Sequence, residues 1–343
     1  MGRRVLVTGL GSFWGGRAAQ ALERDPSVDV IIGLDTTEPT VELERTEYVR
    51  CDESYSILSR IVRATQVDTI VHTFLIVDSS AVSSAQMHET NVIGTMNLFA
   101  AASQPESRVR NVVVKSSTLV YGSTHADPTW FTEETRRTAL PRHRVERSLI
   151  EVEGYVRDYA ADNPDVSVSV LRFSNVLGEQ IVTPTTRALG LPVVPCVFGF
   201  DPRLQFVHES DVVRAVMFVL DHDLDGTYNV AGDGLLPWSE VAALCDKRLF
   251  PLPPLGQGVA AALLDRVGVD LPPELLDLLR YGRGVDNSRL KAEGFEYRYT
   301  SAGAVRAFAE ARRLRATVGR PQAYRYERDV EQFFRHSPAV VRD

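Results

Sequence analysis

The 343-residue chain is poor in cysteine, poor in lysine, and free of long apolar runs. Its cysteines are Cys51, Cys196 and Cys245, an odd number with no Cys-x-x-Cys spacing. That argues against a disulfide framework and against a zinc site, and it fits a reducing compartment. No metal is expected. Nowhere do about 18 apolar residues follow one another, so no membrane-spanning helix is expected. The opening "MGRRVLVTGL" places two arginines before an apolar run. That run is too short for the core of a signal peptide and leads into a glycine turn, so it reads as a first strand. A cytoplasmic location is the resulting expectation. Positive charge is also short: the formal net charge is −7. A broad basic face is therefore not expected, nor a nucleic-acid partner.

What is present is the composition of a soluble globular chain, with 44% apolar and 24% charged residues. The length allows a generous core and roughly two domains. Through about residue 175, short β-branched runs alternate with helical stretches. "RRVLVTG", "VDVIIGLD", "VDTIVHTF", "VRNVVVKSS" and "VSVSVLRF" are nearly continuous in Val, Ile and Leu. Strands buried on both faces have that texture. "GGRAAQALERD", "SILSRIVRA", "MHETNVIGTMNLFAAAS" and "RVERSLIEVEGYVRDYAAD" have helical spacing between them. The alternation predicts an α/β fold with a doubly wound parallel sheet.

After Gly178 the chain turns rich in Pro and Gly, and residues 234 to 300 predict helices separated by breaks. The expected organisation is a sheet domain over 1–175, completed by about 204–232. A smaller, mostly helical C-terminal lobe for substrate is expected from 176–203 and 233–310. The charged stretch 311–343 reads as a solvated tail with one docked helix.

"VLVTGLGSFWGG" joins the first strand to the first helix through glycines. Such a turn lets backbone N–H groups approach a pyrophosphate where the helix dipole favours negative charge. Asp35 ends the second strand, the place from which a carboxylate accepts the adenosine ribose hydroxyls. It also repels a 2′-phosphate. NAD, held in a Rossmann-type crevice, is the expected cofactor in preference to NADP.

These motifs and others further on resemble the extended short-chain dehydrogenase/reductases, the NAD-dependent epimerase/dehydratase family that includes UDP-glucose 4-epimerase. The resemblance runs from residue 3 to about 300. The family's TGxxGxxG turn stands as Thr8-Gly9-Leu10-Gly11-Ser12-Phe13-Trp14-Gly15, with Ser12 in place of the middle glycine. "NVIGTMNLFAAA" carries Asn91, "LRFSNVLG" carries Asn175, and "QFVHESDVVRA" and "GTYNVAGDG" follow in the family's order. The resemblance implies cofactor contacts from Gly9, Gly11, Ser12, Phe13, Trp14, Gly15, Asp35, Asn91 and, toward the adenine, Asp52 after Cys51.

The resemblance also implies a catalytic hydroxyl, tyrosine and lysine. "VVVKSSTLVYG" matches the family's SSxxVYG, which puts the hydroxyl on Ser117 and a supporting Tyr121 four residues on. The tyrosine and lysine do not follow. The lysines are Lys115, Lys247 and Lys291, and none has a tyrosine four places before it. The Tyr-x-x-x-Lys-x-x-x-Glu pattern falls on His143, Arg147 and Glu151 instead. An imidazole titrates near neutral pH, and a guanidinium still offers a fork to a ribose, so His143 and Arg147 are candidate replacements. A surface histidine on an arginine-rich helix start is the plainer alternative. Arg142, Arg144 and Arg147 would also suit a substrate carboxylate or phosphate.

Lys115 stands two residues before Ser117, on the same face of a strand. A buried ammonium needs a partner, so Lys115 either pairs with an acidic neighbour or serves as a relocated catalytic amine. For a nucleotide sugar, the resemblance implies diphosphate contacts from Asn175 and from an arginine just before "FVH". That position is Leu204, with Arg203 one residue early and so turned to the other face of a strand. The expected function is NAD-dependent oxidoreduction of a sugar nucleotide or another hydroxyl or carbonyl small molecule, with an atypical proton-transfer site. The alternative is a non-catalytic NAD-dependent sensor or scaffold. Helices expected over 80–103 and 143–163 look amphipathic, and a homodimer through them is the expected assembly.

Overall fold

The computed structural model describes residues 2–137, 139–253, 271–315 and 329–341. Residues 254–270, part of the predicted helical stretch, and 316–328 of the predicted tail lie outside the described residues. The near-continuous apolar runs form β1 (Arg3–Thr8), β2 (Val28–Asp35), β3 (Thr46–Arg50), β4 (Thr69–His72) and β5 (Asn111–Ser117). Two further strands, Ser167–Phe173 and Gly226–Val230, complete one seven-stranded sheet. From one edge to the other the order is Gly226–Val230, Ser167–Phe173, β5, β4, β1, β2, β3, and every neighbouring pair is parallel.

Strand alternation divides the apolar residues between two faces. Val5, Val7, Ile31 and Val113 pack on one face beneath α1 (Phe13–Glu23) and the Glu209–Asp221 helix. Leu6, Ile32, Val112 and Val114 pack on the other beneath α2 (Tyr55–Thr65), the short α3 (Ser84–His88), α4 (Gly94–Ala102) and α5 (Arg144–Asp162). Helices on both faces bury a parallel sheet fully, which is why its strands carry so few polar side chains. Among the buried polar exceptions are His72 in β4 and Lys115 in β5.

The chain runs outward from β1 to β3 and then crosses back to β4. The carboxyl ends of β1 and β4 therefore diverge into a crevice, the place where ligands settle in open α/β sheets. A separate core of Leu189, Val194, Trp238, Leu275, Leu279 and Phe308 holds the C-terminal lobe together. Its Pro273–Tyr281 helix approaches the crevice from the far side. At the chain's end, the Val330–His336 helix docks beside α2: Phe333 is buried, and Arg60 lies 3.8 Å over the Phe334 ring.

Candidate active site

The β1–α1 turn is built for close backbone approach. Gly9 has φ +73°, and a Cβ there would lie 2.7 Å from the Phe74 backbone after β4. Only glycine takes that conformation and that contact without strain. A Cβ on Gly15 would meet the Gly9 carbonyl oxygen at 2.3 Å. Ser12, where the motif has glycine, caps α1: its hydroxyl accepts the Gly15 N–H at 3.3 Å and donates to the Gly9 carbonyl at 2.7 Å. The first turn of α1 carries no acidic side chain, which leaves the positive end of its dipole open to phosphate. Asp35 at the end of β2 ties this turn down. Its carboxylate accepts the Gly11 N–H at 2.9 Å and the Thr37 N–H at 2.8 Å. Asp52 is exposed ahead of α2 and accepts the Ser54 N–H at 3.2 Å. The close backbone approach at Gly9 and Gly15, the open positive end of α1 and the acidic end of β2 suit a dinucleotide.

Asn91 is fully buried rather than open to the crevice. Its amide clasps the backbone of Ile76 in both directions, at 2.7 and 2.8 Å, and donates to the Ser148 hydroxyl at 3.1 Å. It fixes the loop after β4, so any effect on a cofactor passes through that loop. His72 is enclosed by the Thr8 and Thr95 hydroxyls, each at 3.0 Å. Burial, with the Lys115 charge nearby, pushes it down to about 3, so it stays neutral.

Lys115 corrects one sequence expectation. Among the described residues no carboxylate comes within ion-pair distance of its amine. Nζ instead donates to the Leu75 carbonyl and lies 4.9 Å from the Trp14 ring centre. The side chain is 3% exposed and lines the crevice, where Ser117 and Trp14 also open. Burial pushes the amine down from 10.5 to about 7. Ser117 accepts the Leu119 N–H at 3.2 Å, which leaves its own hydroxyl proton free to donate. Trp14 packs on Phe173 with ring centres 4.8 Å apart and walls this end of the cleft.

The residues in the tyrosine and lysine positions point elsewhere. His143 is the N-cap of α5, and its Nε2 lies 2.8 Å from Asp277 of the Pro273–Tyr281 helix. Arg142 reaches the same carboxylate at 3.2 Å. Burial acts to lower His143, but the Asp277 hydrogen bond and the carboxylates of Glu146, Asp277 and Glu274 outweigh it and hold the imidazole above its ordinary value. Arg147 is exposed, as are Arg142 and Arg144. Neither His143 nor Arg147 lines the cleft. Tyr121 is buried as well: it donates to the Asn229 amide oxygen at 2.8 Å and accepts from Arg172 at 2.8 Å. Arg172 is in turn held by Glu153 through both carboxylate oxygens, and Glu153 also accepts the Ser116 hydroxyl at 2.6 Å.

The cleft lies between sheet and lobe, with Trp14, Ser117 and Phe173 on one side and Leu275, Leu278 and Arg283 on the other. Asn175 lines it and donates to the Gln205 carbonyl at 2.9 Å. Arg203, a candidate substrate contact in the sequence, is exposed and lies outside its lining. Leu204 forms a backbone bridge to Arg283, a residue that no motif singles out. Arg283 is 5% exposed, lines the cleft, donates to the Gly122 carbonyl at 2.9 Å, and has no carboxylate within ion-pair distance among the described residues. Two contacts clasp the β4 loop to the lobe. Arg187 grips Asp78 at 2.6 Å, and Glu274 accepts both the N–H and the hydroxyl of Ser79, at 3.0 and 2.8 Å. Burial raises the Glu274 carboxyl. No cluster of three metal-binding side chains occurs among the described residues.

A crevice at the strand-order reversal, a glycine cradle and an acidic β2 terminus recur together in known proteins. Residues 5–231 match the model of the NAD dependent epimerase/dehydratase family. The chain belongs to that family, whose cofactor is NAD. An uncharacterized protein of Mycobacterium tuberculosis strain H37Rv is 34% identical over 325 residues, 90% of this chain and 84% of that protein. Among solved structures, the UDP-glucose 4-epimerase of Thermus thermophilus in complex with NAD is similar, with TM-score 0.69 and 23% identity over 90% of this chain and 99% of that one. The UDP-glucuronic acid 4-epimerase of Bacillus cereus in complex with NAD has TM-score 0.68 and 15% identity over 91% and 99%. At those identities the two structures speak to fold. Among the described residues no helix is long and apolar enough to cross a membrane.

Proposed function

We propose that the protein is an NAD-dependent oxidoreductase of the epimerase/dehydratase type that acts on a hydroxyl or carbonyl carbon of a sugar nucleotide, with Lys115 and Ser117 as its proton-transfer pair. The observation that carries this reading is the Lys115 amine, buried in the cleft beside Ser117 with no carboxylate among the described residues to hold its charge. NAD bound on the glycine cradle supplies a hydride acceptor. Gly9, Gly11, Ser12 and Gly15 would hold its phosphates, with Phe13 and Trp14 beside them, and Asp35 would hold its adenosine ribose. The chain's own residues do the rest. Ser117 donates its hydroxyl proton to the reacting oxygen and fixes its position. Lys115, with its affinity for protons lowered to about 7, takes the substrate's hydroxyl proton at neutral pH and returns it when a carbonyl is reduced.

Arg283 and Asn175 face the other side of the cleft and suit a diphosphate. His143, committed to Asp277, is assigned a positioning role: it holds the start of α5 against the lobe. Met96, Ile150 and Tyr155 are exposed apolar side chains on α4 and α5, and they support assembly as a homodimer through those helices.

The test is rapid mixing of NAD-loaded protein with a panel of UDP- and dTDP-hexoses, followed at 340 nm with product stereochemistry read by NMR. A transient rise is expected with at least one sugar. Lys115→Met is expected to slow it by about 100-fold or more, in the range general acid–base catalysis contributes, while NAD affinity is retained. Loss of the Tyr-x-x-x-Lys pair favours a second reading, an NAD-dependent sensor. It predicts NAD binding and no absorbance change with any sugar.

A further inference from the structure

We propose that Lys115 is also a carbonyl-capturing nucleophile, whose Nζ forms an imine with an aldehyde or ketone lodged in the cleft. The proposal rests on the reading of Lys115 as the cleft's working amine, but not on any redox step. Three features of the site carry it. The side chain is 3% exposed yet lines the cleft. Its Nζ lies 4.9 Å from the Trp14 ring centre, and although Asp78 and Glu274 line the same cleft, no carboxylate is in ion-pair distance of it among the described residues. Its one hydrogen bond among them runs to a backbone carbonyl, that of Leu75. An ammonium in such a place is penalised, and the free base, with its lone pair available, is favoured. Desolvated lysines of this kind are the ones that attack carbonyls.

The step balances without any oxidant. The Nζ lone pair forms the C–N bond, and the carbonyl oxygen gains a proton to give a carbinolamine. That oxygen then departs as water, with the amine having given up both N–H protons. Ser117, whose hydroxyl proton is uncommitted, stands two residues away on the same strand face and suits the proton delivery to oxygen. An imine withdraws electrons from the neighbouring carbon. It therefore eases removal of an adjacent C–H proton, the kind of step an epimerisation or elimination requires and for which this chain lacks the Tyr-x-x-x-Lys phenol.

With only Lys115, Lys247 and Lys291 in the chain, the test is direct. The intact protein is incubated with dihydroxyacetone or glyceraldehyde and sodium cyanoborohydride near neutral pH, then digested and mapped by mass spectrometry. The expected result is an adduct on Lys115 formed about tenfold or more faster than on Lys247 or Lys291, as a larger free-base fraction dictates. The Lys115 rate should climb as pH rises through about 7. Adducts confined to Lys247, Lys291 or the α-amino group overturn the proposal. Lys115→Arg is expected to abolish the site-specific adduct, with its thermal melt and NAD binding as controls for folding. Trapping without any 340 nm signal from sugars leaves this proposal standing and defeats the oxidoreductase reading; the converse defeats this one alone.

Discussion

A lysine buried without a counter-ion opposes folding wherever it must carry its charge. Lys115 has a folded value of about 7 against 10.5 in an unfolded chain. Below pH 7 both states are protonated and the full penalty applies; it fades as pH rises from 7 to 10.5, because the unfolded chain then binds the extra proton. Lys115→Met keeps the packing against Trp14 and removes the charge. It is expected to raise stability by about 2–5 kcal/mol at pH 6, with the gain shrinking toward pH 10, as measured by urea unfolding. A residue retained at such a cost is the mark of function rather than of packing. Asp35 works in the opposite sense, since its carboxylate already binds the turn it would share with a ribose. Asp35→Ala is expected to weaken NAD binding by about 10- to 100-fold in calorimetry, the loss of one or two hydrogen bonds to a charged group.

At the scale of elements, the start of α5 is anchored to the lobe. His143 and Arg142 fasten it to the Pro273–Tyr281 helix through Asp277. The His143 value is raised in the folded state. Its contribution is therefore complete below the ordinary imidazole value and is lost as pH rises through the raised one. Asp277→Asn is expected to cost about 2 kcal/mol at pH 6 and less at a pH above the raised His143 value, where only Arg142 keeps its charge beside Asp277. An equal loss at both pH values would contradict the charged His143–Asp277 pair.

Local chemistry made the strands, the glycine turn and Asp35 legible in the sequence, because each depends on residues within one strand–turn–helix unit. The partners of Lys115 and His143 were not legible. Leu75, Trp14 and Asp277 reach them only through the sheet order and the docking of the lobe. Arg283 was hidden for the same reason: its place beside Leu204 is a backbone bridge between segments far apart in the chain.

For the whole molecule, one parallel sheet with helices on both faces and a separately cored lobe leaves the cleft as the meeting place of two bodies. The clasps Arg187–Asp78 and Glu274–Ser79 cross it. On the outer surface, α4 and α5 expose Met96, Ile150 and Tyr155. If α4 and α5 pair with a second copy, light scattering at micromolar concentration is expected to give twice the monomer mass of 38.1 kDa. Ile150→Glu is expected to return it to the monomer, because a carboxylate at the centre of an apolar seam loses its hydration. A wild-type monomer would refute the pairing.

The protonation state of one amine underlies all of this chemistry. Three lysines make it directly observable: with 13C-labelled lysine, the Lys115 methylene signal is identified by its absence in Lys115→Met and followed from pH 5 to 11. The prediction is a midpoint near 7. A midpoint near 10.5, the value of a lysine in water, would show an amine at ease with its charge and would contradict its assignment as the working base of the cleft.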